Sequence, residues 1–134
     1  LSLHDALPIY LSLGDLDHVY IYKANEIIVV KDKVNYLVRY QKPDGLWELS
    51  PQVLNAIDYD LEKWKILLEK LNENIDLSKI NNYHSLVLSM LVLHYLRNTH
   101  GNKFKELKLI IQKAERQIKR NIESYDEIMK TYFS

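Results

Sequence analysis

One stretch decides what this chain can fold into: Tyr36-Leu37-Val38-Arg39-Tyr40-Gln41-Lys42-Pro43-Asp44-Gly45-Leu46-Trp47. Val34, Tyr36, Val38 and Tyr40 alternate with Asn35, Arg39 and Gln41, the period of a half-buried strand, and Pro43-Asp44-Gly45 suits a tight turn. Ile27, Val30, Val34, Leu37 and Gln41 instead fall at steps of three and four, which is one face of a helix. The first reading places a small sheet ahead of the helices. The second makes the whole chain a set of helical repeats.

The later segments are less equivocal. Apolar residues at Phe104, Leu107, Ile111, Ala114, Ile118, Ile122, Tyr125, Met129 and Tyr132 predict one long helix over Asn102–Thr131. Gly101 is expected to end the preceding helix in a left-handed C-cap. That preceding helix, about Tyr83 to Thr99, has almost no polar face, so it belongs inside a bundle. Ser85 and Ser89, one turn apart on it, leave room for another backbone. Ser50-Pro51 reads as N-cap and first helical position. The rhythm from Leu54 to Ile75 then predicts one long helix, or two broken near Asp58, and the polar Asn72–Asn82 a loop.

Three segments share a pattern of two charges, apolar, polar, three apolar, polar: Asp32–Arg39, Glu62–Glu69 and Lys105–Gln112. Two of them lie in predicted helices, so equivalence makes the first helical as well. The expected fold is all-α, built of α/α-hairpin repeats as in a toroid or solenoid fragment. The alternative is α+β: a four-stranded antiparallel meander over about 18–49, with Ala24-Asn25 and Pro43-Asp44-Gly45 as turns, followed by three helices.

Composition limits the functional classes. Eighteen Lys and Arg balance eighteen Asp and Glu, which argues against nucleic acid as a partner because phosphate binding needs surplus cations. There is no Cys, which excludes disulfides and thiolate zinc sites and fits a cytoplasmic, reducing location. Unbroken apolar runs such as Met90 to Leu93 and Ile27 to Val30 hold four residues, far below the ~20 residues of a membrane-spanning helix. Residues 1–9, Leu1 to Ile9, begin without Met and resemble translated adapter read-through, so they are set aside as a non-native leader. Residues 10–134 then form a single helical-repeat domain, expected to be a fragment of a longer protein.

Tyr36-Leu37, three residues, Gln41, three residues, Gly45, one residue, Trp47 resembles the QW repeat of terpenoid cyclases and prenyltransferase-like α/α-toroid proteins, with Lys33 at the motif's basic position and Val34 departing from its small one. The resemblance implies that Gln41 closes an outer helix and ties it to the next helix start, that Gly45 makes the turn, and that Trp47 packs over the Gln. It covers about a dozen residues and implies a brace, with no complete catalytic site. Asp58-Tyr59-Asp60 invites comparison with the protonating D-x-D-D acid of that family, in which adjacent carboxylates keep one protonated. The final Asp is missing, and Asp58 or Asp60 at a helix N-cap is the plainer account. Asp15-Leu16-Asp17-His18 reads the same way.

His18, His84, His94 and His100 show no spacing that converges on a metal, and no cofactor is expected. His94 reads as a hydrogen-bonded structural residue and His100 as a helix C-terminal one. The lysines and arginines at 103, 105, 108, 113, 116, 119 and 120 make the last helix locally basic, a solvated face or a weak site for RNA or an acidic partner. Ten Tyr either pack with bonded hydroxyls or line an aromatic cavity of the kind that holds a carbocation. Two functions follow: a structural segment of a cyclase-like toroid, or a small non-catalytic interaction module using a sheet edge or the basic helix.

Overall fold

The computed structural model describes residues 8–10, 19–22 and 27–133, with side chains from Val30 onward except Phe104. The chain is mostly helical. Three short strands, β1 (Pro8–Tyr10), β2 (Val19–Tyr22) and β3 (Ile27–Val30), form an antiparallel sheet in the order β1-β2-β3. Tyr22 faces Ile27 in register and Val19 faces Val30, while Pro8 faces Tyr22. The leader expectation over residues 1–9 therefore falls partly on β1; residues 1–7 lie outside the described residues, as do Ala24, Asn25, Asp15, Asp17 and His18. Six α-helices follow among the described residues: α1 (Lys33–Tyr40), α2 (Pro51–Ala56), α3 (Leu61–Asn72), α4 (Tyr83–Thr99), α5 (Phe104–Asn121) and α6 (Tyr125–Tyr132).

The ambiguous third of the chain divides at Asp32. Its carboxylate accepts the Asn35 backbone N–H at 3.0 Å, an N-cap that starts α1. Downstream, Tyr36 and Leu37 are buried while Val38 and Arg39 face outward, the division a helix imposes and a strand does not. The apparent alternation has another use. Tyr36 and Tyr40, one turn apart, stack with ring centroids 4.4 Å apart. Upstream, the β-branched run stays extended, so Ile27 and Val30 belong to β3 and not to the helical face expected of them. The four-stranded meander over 18–49 is likewise corrected: among the described residues of that span β2 and β3 are the strands, and 33–40 is helical. Val30 donates its N–H to the Asn55 side chain at 2.7 Å, which fastens β3 to α2.

Ser50 caps α2 by accepting from Val53 N at 3.1 Å, with Pro51 at the first position. The break expected near Asp58 is present, with Asp58 in the left-handed region at φ 55°. A 3-10 turn at Leu77–Lys79 interrupts the Asn72–Asn82 connection. α4 is the central element: Ser85 to Leu93 and Leu96 are buried without a break. Its buried residues share one core with Trp47, Leu37, Trp64, Ile111, Ala114, Ile118 and Tyr125 from the surrounding elements.

Two boundaries differ from expectation. The long helix over Asn102–Thr131 is two, α5 and α6, broken at Ile122, whose backbone is extended (φ −133°, ψ 101°). The apolar rhythm runs on through Ile122, so the break changes the direction of the chain and not the face that is apolar. Tyr125 and Ile128 of α6 are buried beyond it. Gly101 does not take a left-handed conformation and starts a short 3-10 turn, with His100 as the C-cap of α4.

Candidate functional site

The junction between α1 and α2 is a plug set into the helices. Lys42 N–H donates to Leu46 C=O and Gly45 N–H to Lys42 C=O, both at 2.8 Å, closing a tight turn. Asp44 accepts the Leu46 N–H at 2.9 Å, the local bond that favours Asp in turns. Gly45 sits at φ +95°, and a Cβ there would lie 2.8 Å from the Lys113 carbonyl oxygen. Only glycine lets the turn rest directly on the α5 backbone. Gln41 Nε2 donates to Gly45 C=O at 2.8 Å and to Ile110 C=O at 2.9 Å, so one amide ties the turn to the middle of α5.

Trp47 is fully buried. Its indole N–H donates to Leu37 C=O at 2.8 Å, satisfying a carbonyl in the last turn of α1 that has no partner within the helix. Its backbone N–H donates to Ser89 Oγ at 2.9 Å, so the backbone that Ser89 admits to α4 is that of Trp47. Gln41, Gly45 and Trp47 thus join α1, α4 and α5. The expected tie from Gln41 to a following helix start is replaced by its bond to α5.

The carboxylates compared with a protonating acid have other partners. Asp60 accepts the Lys63 N–H at 2.7 Å as the N-cap of α3, and Asp58 pairs with Lys33. Both are exposed. Tyr59 between them is half-buried, and its hydroxyl is held above the usual tyrosine range by burial and by Asp60. His94 receives Asn98 Nδ2 at 3.0 Å, and burial followed by the nearby Arg97 lowers its affinity for a proton. His100 Nε2 lies 3.2 Å from the Tyr95 hydroxyl and His84 beside Tyr83, with ring centroids 4.0 Å apart. Among the described residues no three His, Cys, Asp or Glu side chains form a group that could hold a metal.

One polar cluster was not legible in the sequence. Glu115 of α5 accepts from Arg97 of α4 at 2.8 Å and from the Tyr125 hydroxyl of α6 at 3.0 Å. Burial, then the Glu115 charge, pushes the Tyr125 hydroxyl far above the ordinary tyrosine value. The cluster joins three helices around one carboxylate. Its partners lie 10 and 18 positions from Glu115, with no spacing to announce them. Among the described residues no buried side-chain nitrogen or oxygen lacks a partner. One cleft of about 350 Å³ between α3 and α6 is lined by Tyr59, Lys63, Ile66, Lys70 and Tyr132.

The outer face of α5 presents a different kind of surface. Leu107, Ile111, Ala114 and Ile118 point into the core. Lys105, Leu109, Lys113, Arg116 and Arg120, at steps of three and four, line the opposite side and are exposed. Leu109 stands among these cations 79% exposed. Of the two acids on α5, Glu115 is turned inward to Arg97 and Tyr125, leaving Glu106 near its start. The turn at Pro43-Asp44 borders this face, enclosing a cleft of about 180 Å³ with Lys113, Arg116, Gln117 and Arg120. No family model, curated protein or solved structure matches the chain.

Proposed function

We propose that the chain is a small non-catalytic protein-interaction module: a helical scaffold braced by the Gln41–Trp47 plug that offers an exposed helix face to another protein. The observation that carries this reading is a division of labour among the polar residues. Gln41, Ser89, Asp60, Glu115 and Tyr125 each hold one element to another or cap a helix. Lys119 lies over the Tyr125 ring, 5.5 Å from its centroid, but Lys105, Lys113, Arg116 and Arg120, with Leu109 among them, make no such polar contact among the described residues and face outward. Panning a random peptide display library against the folded chain tests the reading. Enrichment of peptides that bind the folded chain and not the heat-unfolded one is the expected result; absence of any enriched sequence contradicts it.

A second reading, a structural segment of a terpenoid-cyclase or prenyltransferase-like α/α-toroid, is favoured by one observation. Gln41 bonds across the Gly45 turn and Trp47 bonds to the end of α1, so both brace helices, as the QW resemblance implies in general, with Gln41 tied to α5 in place of the next helix start. Helix-bracing geometry speaks for a scaffold and not for a reaction. Sequencing the uninterrupted gene separates the readings: further Gln…Gly-x-Trp copies at regular spacing support the toroid, and their absence removes it.

A further inference from the structure

We infer that the outer face of α5 is the docking surface for an acidic, amphipathic helical segment of a partner protein, with Leu109 as its apolar anchor; this deepens the module reading above and rests on it. α5 carries six Lys or Arg against two Glu in a chain whose total formal charge is zero, so the basic character is concentrated on this helix. Lys105, Lys113, Arg116 and Arg120 all lie on the exposed side, and among the described residues none of the four is in an ion pair with an acid. Among the described residues Asp44, from the α1–α2 turn, lines the cleft beside Arg116 and has Lys42 Nζ 3.8 Å away. Glu106 is the remaining acid on α5 that faces solvent.

The chemistry of the face distinguishes among anionic partners. Lys105 to Arg120 spans about 22 Å of helix, the length of four turns, which matches a helical peptide laid alongside. Between these two residues there is no aromatic side chain on which a nucleic-acid base could stack, and the chain has no positive surplus to hold a phosphate backbone. A membrane surface needs a broad apolar face; among the described residues of α5, Leu109 is the one large apolar side chain that is exposed. A single exposed leucine between cations instead fits one apolar position of an acidic helix, with carboxylates on either side pairing with Lys105, Lys113 and Arg116.

The experiment uses the whole chain and a fluorescently labelled synthetic helix of about 18 residues, long enough to cover the face. It has Glu at positions flanking a central Leu. Anisotropy is expected to show binding that weakens severalfold from low to physiological salt. Lys113→Glu with Arg116→Glu should weaken it at least about tenfold, and Leu109→Ala about threefold or more. Lys65→Glu with Lys79→Glu, on other elements, should change it little. Substituting Ser for the central Leu of the probe should weaken binding to the parent chain and not to the Leu109→Ala variant. The inference is overturned if the acidic helix does not bind, if charge reversal on α5 leaves binding unchanged, or if Leu109→Ala has no effect. It is overturned equally if poly-uridine RNA or phosphatidylserine vesicles bind in a Lys113/Arg116-dependent manner while the peptide does not. Arg120→Glu alone gives a second charge test should the double reversal fail to fold. If panning enriches non-acidic peptides indifferent to these substitutions, the module reading stands and this inference falls; if nothing enriches and the acidic helix fails, both fall.

Discussion

Replacing Gln41 tests whether the junction braces the fold. The Gln41 amide donates two hydrogen bonds, to Gly45 C=O and Ile110 C=O, from a half-buried position. Gln41→Ala removes both, and at about 1 kcal/mol net for each the chain should lose ~2 kcal/mol. For a chain of this size that lowers the melting temperature by about 8 °C. Gln41→Glu keeps the shape but sets a carboxylate against two carbonyl oxygens, so at neutral pH it should cost more than alanine. Its pH dependence then has a definite sign. The folded state favours the protonated acid, which can still donate one bond, so the glutamate's folded pKa rises above its unfolded value of about 4.3. Stability relative to the parent is therefore greatest below that value and falls as pH rises toward the raised one. Urea unfolding of parent, Q41A and Q41E between acidic and neutral pH reads all of this. Equal stability of Q41A and parent, or a Q41E penalty that does not shrink on acidification, would refute the reasoning.

Three further outcomes follow from the same contacts. Gly45→Ala should destabilise by roughly 2–4 kcal/mol in thermal or urea unfolding, because it adds left-handed strain to a collision with the α5 backbone. Asp60→Ala should cost about 1 kcal/mol through loss of the α3 N-cap and Asp60→Asn much less, whereas an acid acting as a proton donor would not be replaced by Asn. In alkali, burial and Tyr40 push the Tyr36 hydroxyl up to about 12, above its unfolded value of about 10. Its contribution is complete below pH ~10 and is lost as pH rises toward ~12, so Tyr36→Phe should move alkaline unfolding upward, read by circular dichroism.

Helical periodicity made the later part of the chain legible. α4 was readable because a run with no polar face must be interior, and α2 because Ser50-Pro51 is a chemical start signal. The break between α5 and α6 was hidden because Ile122 continues the three–four rhythm across it, and nothing local to that position stops a helix. In the N-terminal part, Val34 to Tyr40 satisfied both periods, and propensity alone favoured the wrong one. The Asp32 cap and the stacking of Tyr36 on Tyr40 decide it, and only the first has a local signature. In the junction, Gln41, Gly45 and Trp47 could be picked out by type and spacing. Ser89, which bonds Trp47, is 42 positions away, Ile110, which bonds Gln41, is 69 away, and the Lys113 backbone under Gly45 is similarly remote; no spacing encodes such pairings. The same distance in sequence hid the Arg97–Glu115–Tyr125 cluster.

Hydrogen exchange at Trp47 tests the central claim most directly. Its indole and backbone N–H groups are buried and bonded to Leu37 C=O and Ser89 Oγ, between α1 and α4. If the junction is a brace built into the core, both protons exchange only through global unfolding, and their protection matches that of the α4 amides Leu88 and Val92. Exchange of the Trp47 indole proton at the rate of an exposed loop, with α4 still protected, would contradict it.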